Sequence, residues 1–176
     1  MSKNNVKPTD VENPFSVNDI IVSKTNLKGE ITYVNDVICT LAEADESEMI
    51  GQQHNIIRHP DMPRSIFQLL WQQIKAKKEI FAYVKNMAKT RNHYWVFAHV
   101  TPTLNDQGEV IGFHSSRRSA PENEISIISE LYEKIRNVET KHDNRKDGLK
   151  AGVDFFHEFL EKTGMSYDEF VWSVGK

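Results

Sequence analysis

Alternating apolar and polar positions predict five β-strands in the first two thirds of the chain. Residues 19–25 and 30–34 alternate in this way on either side of a turn that ends in Gly29, a pattern typical of a β-hairpin. Three further strands are predicted after a helical stretch, and an Asn-Asp-Gln-Gly turn separates the last two of them. These three strands are residues 80–87, 93–103 and 110–116.

The stretch between the hairpin and the third strand has a helical pattern. Residues 35–48 predict short helical turns with Asn35 and Asp45 as N-caps. Two prolines make residues 52–63 irregular, and apolar residues spaced by one, three and four then predict a helix over 66–74. The element order predicts an α+β fold, in which a five-stranded antiparallel sheet carries short helices on one face.

The last third of the chain has helical periodicity throughout. Residues 119–122 have the form of a capping box and predict the start of a helix with one apolar stripe. A charged linker over 141–147 precedes a second predicted helix, 149–160, which Gly164 ends. Residues 166–169 form another capping box and predict a short final helix.

These changes of pattern divide the chain into three regions. Residues 1–18 contain two prolines and few bulky apolar side chains, which predicts an N-terminal arm or cap. The sheet and its helices form a core domain over 19–118. Residues 119–176 form a C-terminal helical region whose apolar stripes must pack against the core domain, a second copy or a partner.

Composition narrows the function classes. The chain has 22 basic and 25 acidic side chains and a formal charge of −3, so it lacks the basic field that favours a nucleic-acid partner. No apolar run approaches the roughly 18 residues of a membrane span, so no direct membrane insertion is expected. The chain opens without a signal-peptide pattern and has one cysteine, Cys39, which we expect to be buried and inert. These features favour the cytoplasm.

The densest group of chemically active side chains lies in residues 54–63. It contains His54, Arg58, His59 and Asp61, and composition alone slightly favours a capped loop with surface charges over a binding site. The two histidines are five positions apart and have no cysteine partner, so no metal site is predicted.

The strands offer a second group. Asn86 lies in the middle of a predicted strand, where its amide either faces water or presents a donor and an acceptor to a ligand. Periodicity favours core packing for Trp71 and Trp95. The sequence lacks a nucleophile elbow, a phosphate-binding loop and a dinucleotide fingerprint, so we expect a protein that is not an enzyme.

Five short motifs resemble the PAS domain of bacterial aerotaxis receptors over about residues 19–118. They are Val-Asn-Asp at 34–36, Gly-Gln-Gln-His-Asn at 51–55, Arg-His-Pro-Asp-Met-Pro at 58–63, Val-Lys-Asn at 84–86 and His-Tyr-Trp-Val at 93–96. The resemblance implies a PAS fold and a non-covalently held FAD. The residues that match the family's flavin-site motifs are Asn35, His54, Arg58, His59, Asp61, Phe67, Trp71, Asn86 and Trp95.

The resemblance also implies a role in energy taxis. In that family the redox state of the flavin is the signal, and this sequence is most similar in layout to the short PAS proteins of bipartite energy-taxis systems. Such a protein acts in trans on a membrane-bound methyl-accepting chemotaxis transducer, which would bring it to the inner face of the membrane. The flanking helices would pass the signal on, and a homodimer through these helices is also open.

Three other interpretations remain at this point. The domain can be a ligand-free PAS module for dimerisation or interaction, if its own side chains fill the cleft. It can be a haem-binding PAS gas sensor, with His54, His59 or His93 as the axial ligand. It can also be a small flavin-dependent oxidoreductase, although the sequence shows no evident substrate acid or base.

Overall fold

The computed structural model describes residues 7–176, and the first six residues of the predicted arm lie outside this range. The described chain forms a sheet, six α-helices and one short 3-10 helix. The strands are β1 (Ile21–Thr25), β2 (Ile31–Val34), β3 (Ile80–Met87), β4 (His93–Leu104) and β5 (Val110–Ser119). The helices are α1 (Asp36–Ala42), α2 (Glu46–Met49), the 3-10 helix His54–Ile57, α3 (Arg64–Lys75), α4 (Glu122–Thr140), α5 (Arg145–Thr163) and α6 (Tyr167–Ser173).

The strands pair antiparallel in the order β2-β1-β5-β4-β3, which confirms the predicted α+β fold with a five-stranded antiparallel sheet. The irregular segment 51–62 contacts both edges of this sheet. At the β2 edge the amide of Ile31 donates to the carbonyl of Gln52 at 2.8 Å. At the β3 edge Arg58 forms an isolated antiparallel bridge with Asn86. One segment therefore crosses the inner face from edge to edge.

Side-chain alternation gives the sheet two different faces. The even-numbered residues of β3 and β4 point toward α3, and the odd-numbered residues point toward the C-terminal helices. On that outer face, the Tyr132 hydroxyl of α4 donates to the carbonyl of Tyr83 at 2.8 Å. Trp172 of α6 packs against Phe81 and Phe97 at ring-centroid distances of 4.8 and 5.3 Å. The C-terminal helical region thus packs on the core domain as a second layer.

The structure corrects the predicted start of α4. Ser119 is the last residue of β5, where it pairs with Val96, and it does not cap a helix. The helix begins at Glu122 after Pro121, without a hydrogen bond from a capping side chain. The capping box predicted at 119–122 is therefore wrong, because the strand continues three residues beyond its predicted end.

The next helix, α5, begins earlier than its apolar periodicity predicts. The Asn144 side chain accepts from the amide of Lys146, so the helix starts at Arg145 and the predicted charged linker is shorter. Its first turn is exposed and charged, which hides it from an apolar pattern. The predicted stop at Gly164, with φ +69°, and the predicted capping box at Ser166 are both confirmed.

The described part of the N-terminal arm lies along the start of β4. The amide of Asn13 donates to the carbonyl of His93 at 2.7 Å, and the amide of His93 donates to the carbonyl of Val11 at 2.9 Å. Phe15 meets the ring of Tyr94 edge-on. Because β5 pairs with β4 only from Val96 onward, the arm occupies the place beside β4 that β5 leaves open.

Cys39 is half-buried on α1 rather than fully buried as predicted, because that side of the helix faces solvent. Partial burial and the nearby carboxylates of Glu46 and Asp36 raise the pKa of the thiol. The protonated form is therefore favoured, and a protonated thiol is a poor nucleophile.

Candidate ligand-binding cavity

A cavity of about 200 Å³ lies between the inner face of the sheet and α3. This volume is several times the roughly 30 Å³ that one water molecule occupies in the liquid. Side chains from β1, β3, β4, β5, the 3-10 helix and α3 line it. The interior of the domain is therefore not close-packed at this place, unlike an ordinary protein core.

Two apolar walls face each other across this space. One wall is a stripe on α3, where Phe67, Leu70, Trp71 and Ile74 recur at the spacing of one helical face. The other wall is the sheet, and its centre is the small residue Ala98. The walls would accept a flat, largely apolar group.

Arg58 brings a cation to the cavity from the irregular segment. Its guanidinium lies 4.1 Å from the ring centroid of Phe67, and its Nη2 donates to the carbonyl of Met62 at 2.8 Å. Burial lowers the pKa of Arg58 to about 10, so the group stays charged at neutral pH. Stacking on Phe67 and the bond to Met62 fix the orientation of its planar fork.

A second cation, Arg117 on β5, lies in a polar cluster with Ser23 and His54. Its Nη2 donates to Ser23 Oγ at 2.7 Å and to His54 Nε2 at 2.8 Å. Since the guanidinium can only donate, His54 Nε2 must be the acceptor, and the neutral ring then carries its proton on Nδ1. Burial and the neighbouring charge of Arg117 lower the pKa of His54 to about 3, in agreement with a neutral ring.

Several polar atoms at the cavity lack partners. Asn86 Nδ2, Ser115 Oγ and Arg117 Nη1 are buried, and none has a hydrogen-bond partner in the described part of the chain. Arg117 is 4% exposed, and none of the described carboxylates forms an ion pair with it. Unpaired buried polar groups are costly, so a ligand rich in hydrogen-bond acceptors would complete this wall.

The structure brings together five of the nine predicted site residues and leaves four away from the cavity. Those that line it are His54, Arg58, Phe67, Trp71 and Asn86. Those that do not are Asn35, His59, Asp61 and Trp95.

Two of the four residues away from the cavity have clear structural contacts. Trp95 is an odd-numbered residue of β4 and lies on the outer face, against Tyr132 of α4. Asn35 caps α1 by accepting from the amide of Ile38, and it also accepts from the amide of Val22 in β1. Strand alternation and helix capping therefore account for both residues without a ligand.

His59 and Asp61 also lie outside the cavity, on the other side of the segment that carries Arg58. His59 is 1% exposed, and its Nδ1 accepts from the amide of Asp61 at 3.1 Å. Burial, assisted by the charge of Lys85, lowers the pKa of His59 to about 4. Asp61 forms ion pairs with Lys85 of β3 and Arg136 of α4. His59 and Asp61 therefore hold the segment against its neighbours, which are β3 and α4.

The polar cavity residues Arg117, Ser115 and Ser23 were not among the predicted site residues. Phe113, Ser115 and Arg117 alternate along β5 and share its inner face. The predicted strand ended at residue 116, which removed Arg117 from that pattern. Extending the alternation by one residue would have found it.

The buried neutral ring of His54 predicts an acid-sensitive fold. The unfolded chain binds a proton near pH 6.5, whereas the folded chain resists it down to about pH 3. The contribution of the neutral His54 ring to the free energy of unfolding is therefore fully present above pH 6.5. As the pH drops below 6.5, the free energy of unfolding falls by about 1.4 kcal/mol per pH unit for one such group. Urea unfolding at pH 6.5 and at pH 5 should show this loss, and His54→Gln should reduce it. The matched change at the exposed His157 should leave the slope intact; an equal slope in all three proteins would contradict the assignment.

Comparison with known proteins gives consistent relatives. Residues 31–117 match the PAS fold family. Over 127 residues the chain is 33% identical to the aerotaxis receptor of Escherichia coli (strain K12), a match that covers 72% of this chain and 25% of that receptor. It is 25% identical over 134 residues to a nitrogen fixation regulatory protein of Klebsiella pneumoniae, covering 76% of this chain and 26% of that protein. The chain thus spans about a quarter of the length of these curated relatives.

Solved structures agree on the fold. The dark-state structure of the blue-light photoreceptor Aureochrome1 LOV covers 68% of this chain and 86% of its own, with a TM-score of 0.56 and 13% identity. The PAS domain of a Colwellia psychrerythraea protein covers 57% of this chain and 86% of its own, with a TM-score of 0.53 and 18% identity. At such identities the likeness establishes the fold alone.

Residues 7–176 contain neither a candidate metal site nor a candidate membrane-spanning helix. No three or more His, Cys, Asp or Glu side chains in this range are grouped so as to hold a metal ion. Within the same range, none of the helices has the length and apolar character needed to cross a membrane.

Proposed function

Because residues 31–117 form a PAS domain of the aerotaxis-receptor type, we propose that this chain is a redox sensor that binds FAD non-covalently and signals to a chemotaxis transducer. The flavin ring occupies the cavity between α3 and the sheet. The chain acts as a sensor and not as an enzyme, and it works in the cytoplasm.

One observation carries the proposal: unpartnered buried donors border a cavity with apolar walls. Asn86 Nδ2 and Arg117 Nη1 are donors without acceptors, and they belong to strands on opposite sides of β4. A flavin ring has carbonyl oxygens and ring nitrogens along one edge and apolar carbons along the other. The stripe on α3, from Phe67 to Ile74, fits the apolar part, so the residues present fit this group.

When bound, the flavin supplies reversible two-electron redox chemistry, with a proton gained at a ring nitrogen on reduction. The Asn86 amide has both a donor and an acceptor, so it can adapt to a ring atom that changes from acceptor to donor. If the amide does not turn, one buried group is left unpaired, at a cost of roughly 1–3 kcal/mol. A difference of that size shifts a two-state equilibrium about five- to a hundred-fold, which is enough for a signal.

The geometry gives less support to haem. His54 Nε2 already accepts from Arg117, and its Nδ1 carries the proton, so neither nitrogen is free to ligate iron without breaking the cluster. His59 and His93 pack against each other with ring centroids 6.0 Å apart, and neither lines the cavity. A flavin therefore fits the cavity better than a haem does.

The transducer is the proposed partner because the aerotaxis receptor is a relative. The match covers about a quarter of that receptor. The C-terminal helices lie on the outer face of the sheet, where they can carry a change from the cavity to such a partner.

An absorption spectrum of the freshly purified protein tests the cofactor. We expect the two visible bands of oxidised flavin, bleaching with dithionite, and FAD rather than FMN on chromatography after heat release. A Soret band would show bound haem and would contradict the flavin proposal. A colourless protein that does not take up added FAD would contradict it and favour an interaction module.

A further inference from the structure

The carboxylate of Glu139 lies at a junction between three helices. It is 3% exposed, although it belongs to the last turns of α4. Its Oε1 accepts from the amide of Ser65 at 2.8 Å, and its Oε2 accepts from the amide of Arg64 at 3.1 Å and from Arg64 Nε at 3.2 Å. The first turn of α3 follows Pro63, which supplies no side-chain cap. Glu139 therefore satisfies donors that the sequence next to α3 leaves open.

Two glycines of α5 close the junction from the other side. A Cβ at Gly152 would lie 2.6 Å from Cγ and 2.8 Å from Oε1 of Glu139, and a Cβ at Gly148 would overlap the carbonyl oxygen of Glu139. The two glycines are four positions apart and share one face of α5. They allow α5 to approach so closely that the Glu139 side chain is held between α3 and α5.

The turn that Glu139 holds is continuous with the cavity wall. Arg58 donates to the carbonyl of Met62, and α3 begins two residues after Met62. Burial lowers the pKa of Arg58, and the negative charge of Glu139 is the largest influence that opposes this lowering. The placement of the cavity cation therefore depends on α4, and the carboxylate of Glu139 favours the charged form of Arg58.

A second contact links α4 to the same segment. Arg136 lies one turn before Glu139, and its Nη1 donates to Asp61 Oδ1 at 2.7 Å. The other oxygen of Asp61 accepts from Lys85 Nζ at 3.2 Å. The segment from Arg58 to the first turn of α3 is thus attached to α4 through Asp61 and through the Glu139 contacts, and it is also attached to the β3 edge.

We propose that Glu139 is a positioning residue of the cavity, although it lies outside residues 31–117. It holds the start of α3 and balances the charge of Arg58. Docking of the α4–α5 pair and binding in the cavity therefore stabilise each other. The inference rests on the proposed function for one point, which is that the ligand is FAD. If one state of the ligand strengthens docking of the α4–α5 pair, docking strengthens the binding of that ligand state by the same factor.

The test compares Glu139→Gln with Glu133→Gln in the whole chain, since Glu133 is an exposed residue of the same helix. The dissociation constant and the midpoint potential of bound FAD are measured for both proteins. We expect Glu139→Gln to weaken FAD binding about ten-fold or more, within the usual range of coupling between sites. Its midpoint potential should move to a more positive value, because Arg58 loses its opposing charge. Glu133→Gln should change neither quantity.

The third measurement needs no ligand. It is the solvent-exchange rate of the Arg58 Nε–H resonance in ligand-free protein, which should rise in Glu139→Gln and not in Glu133→Gln. If wild-type protein does not bind FAD but this rate rises, the proposed function fails while the positioning role stands. If folded Glu139→Gln matches wild type in affinity, potential and exchange rate, the positioning role is overturned. If Glu139→Gln does not fold, Glu139→Asp replaces it, because the shorter side chain keeps the charge but draws the carboxylate away from the amides of Arg64 and Ser65. Wild-type FAD affinity and Arg58 exchange rate in that variant would overturn the positioning role.

Discussion

Replacing Arg58 by alanine is expected to raise the FAD dissociation constant about ten- to a hundred-fold. A buried hydrogen bond from a charged group contributes roughly 1.5–3 kcal/mol, and each 1.4 kcal/mol is a factor of ten. Arg58 is held over Phe67 before any ligand arrives, so little additional order is lost when it binds one. Fluorescence titration of the ligand-free protein with FAD measures the change.

Arg118→Ala is the matched control. Arg118 follows Arg117 on β5, but it lies on the outer face, above the ring of Phe97, and does not line the cavity. The Arg118→Ala substitution removes an arginine side chain from the opposite face of the sheet, so the variant protein should bind FAD as wild type does. Arg58→Lys should fall between, because it keeps the charge and loses the planar fork. Full FAD affinity in a folded Arg58→Ala protein would contradict the assignment of Arg58 to the site.

Replacing Gly148 by alanine is expected to lower the free energy of unfolding by about 1–3 kcal/mol, the usual range for overpacking. The new Cβ would overlap the backbone oxygen of Glu139, and a backbone atom of a neighbouring helix cannot turn aside as a flexible side chain can. The intrinsic helix preference of alanine over glycine, about 1 kcal/mol, acts in the opposite direction. The sign of the measured change therefore reports whether α5 packs as closely as the structure shows.

Urea unfolding followed by circular dichroism provides the measurement for Gly148→Ala. Lys150→Ala, at an exposed position of the same helix, is the control for helix preference and should be neutral within about 0.5 kcal/mol. A Gly148→Ala protein more stable than wild type would mean that α5 does not lie against Glu139 in solution. In that case the junction would lose one of its three sides.

The fold was predictable because its elements carry local patterns. The turn that ends at Gly29 and the turn before Val110 each separate two strands of clear alternation, and the predicted helix that corresponds to α3 has a full apolar face. The exceptions were at element ends, where tertiary contacts decide. Ser119 continues a strand because Val96 offers it a partner, which no local capping pattern reveals.

The candidate site was predictable only in part, for a similar reason. The resemblance supplied Arg58, His54 and Asn86, which the structure brings to one cavity. Trp95 carries the same family motif, but strand alternation puts it on the other face. Arg117 was missed because β5 continues beyond its predicted end, where pairing with β1 and β4 extends the strand.

Glu139 shows the same limit in its strongest form. In the sequence it is one of several acidic residues on a charged helix, and its residue type does not separate it from the exposed Glu133. Its burial results from the approach of α3 and of two glycines on α5. A carboxylate that satisfies the amides of another helix can be recognised only when the chain is folded.

The segment that crosses from β2 to β3 has a consequence for solubility. It pairs with Ile31 at one sheet edge and with Asn86 at the other, and an uncovered edge strand is a template for pairing with a second chain. The contacts of this segment therefore protect both edges of the sheet from pairing with a second chain.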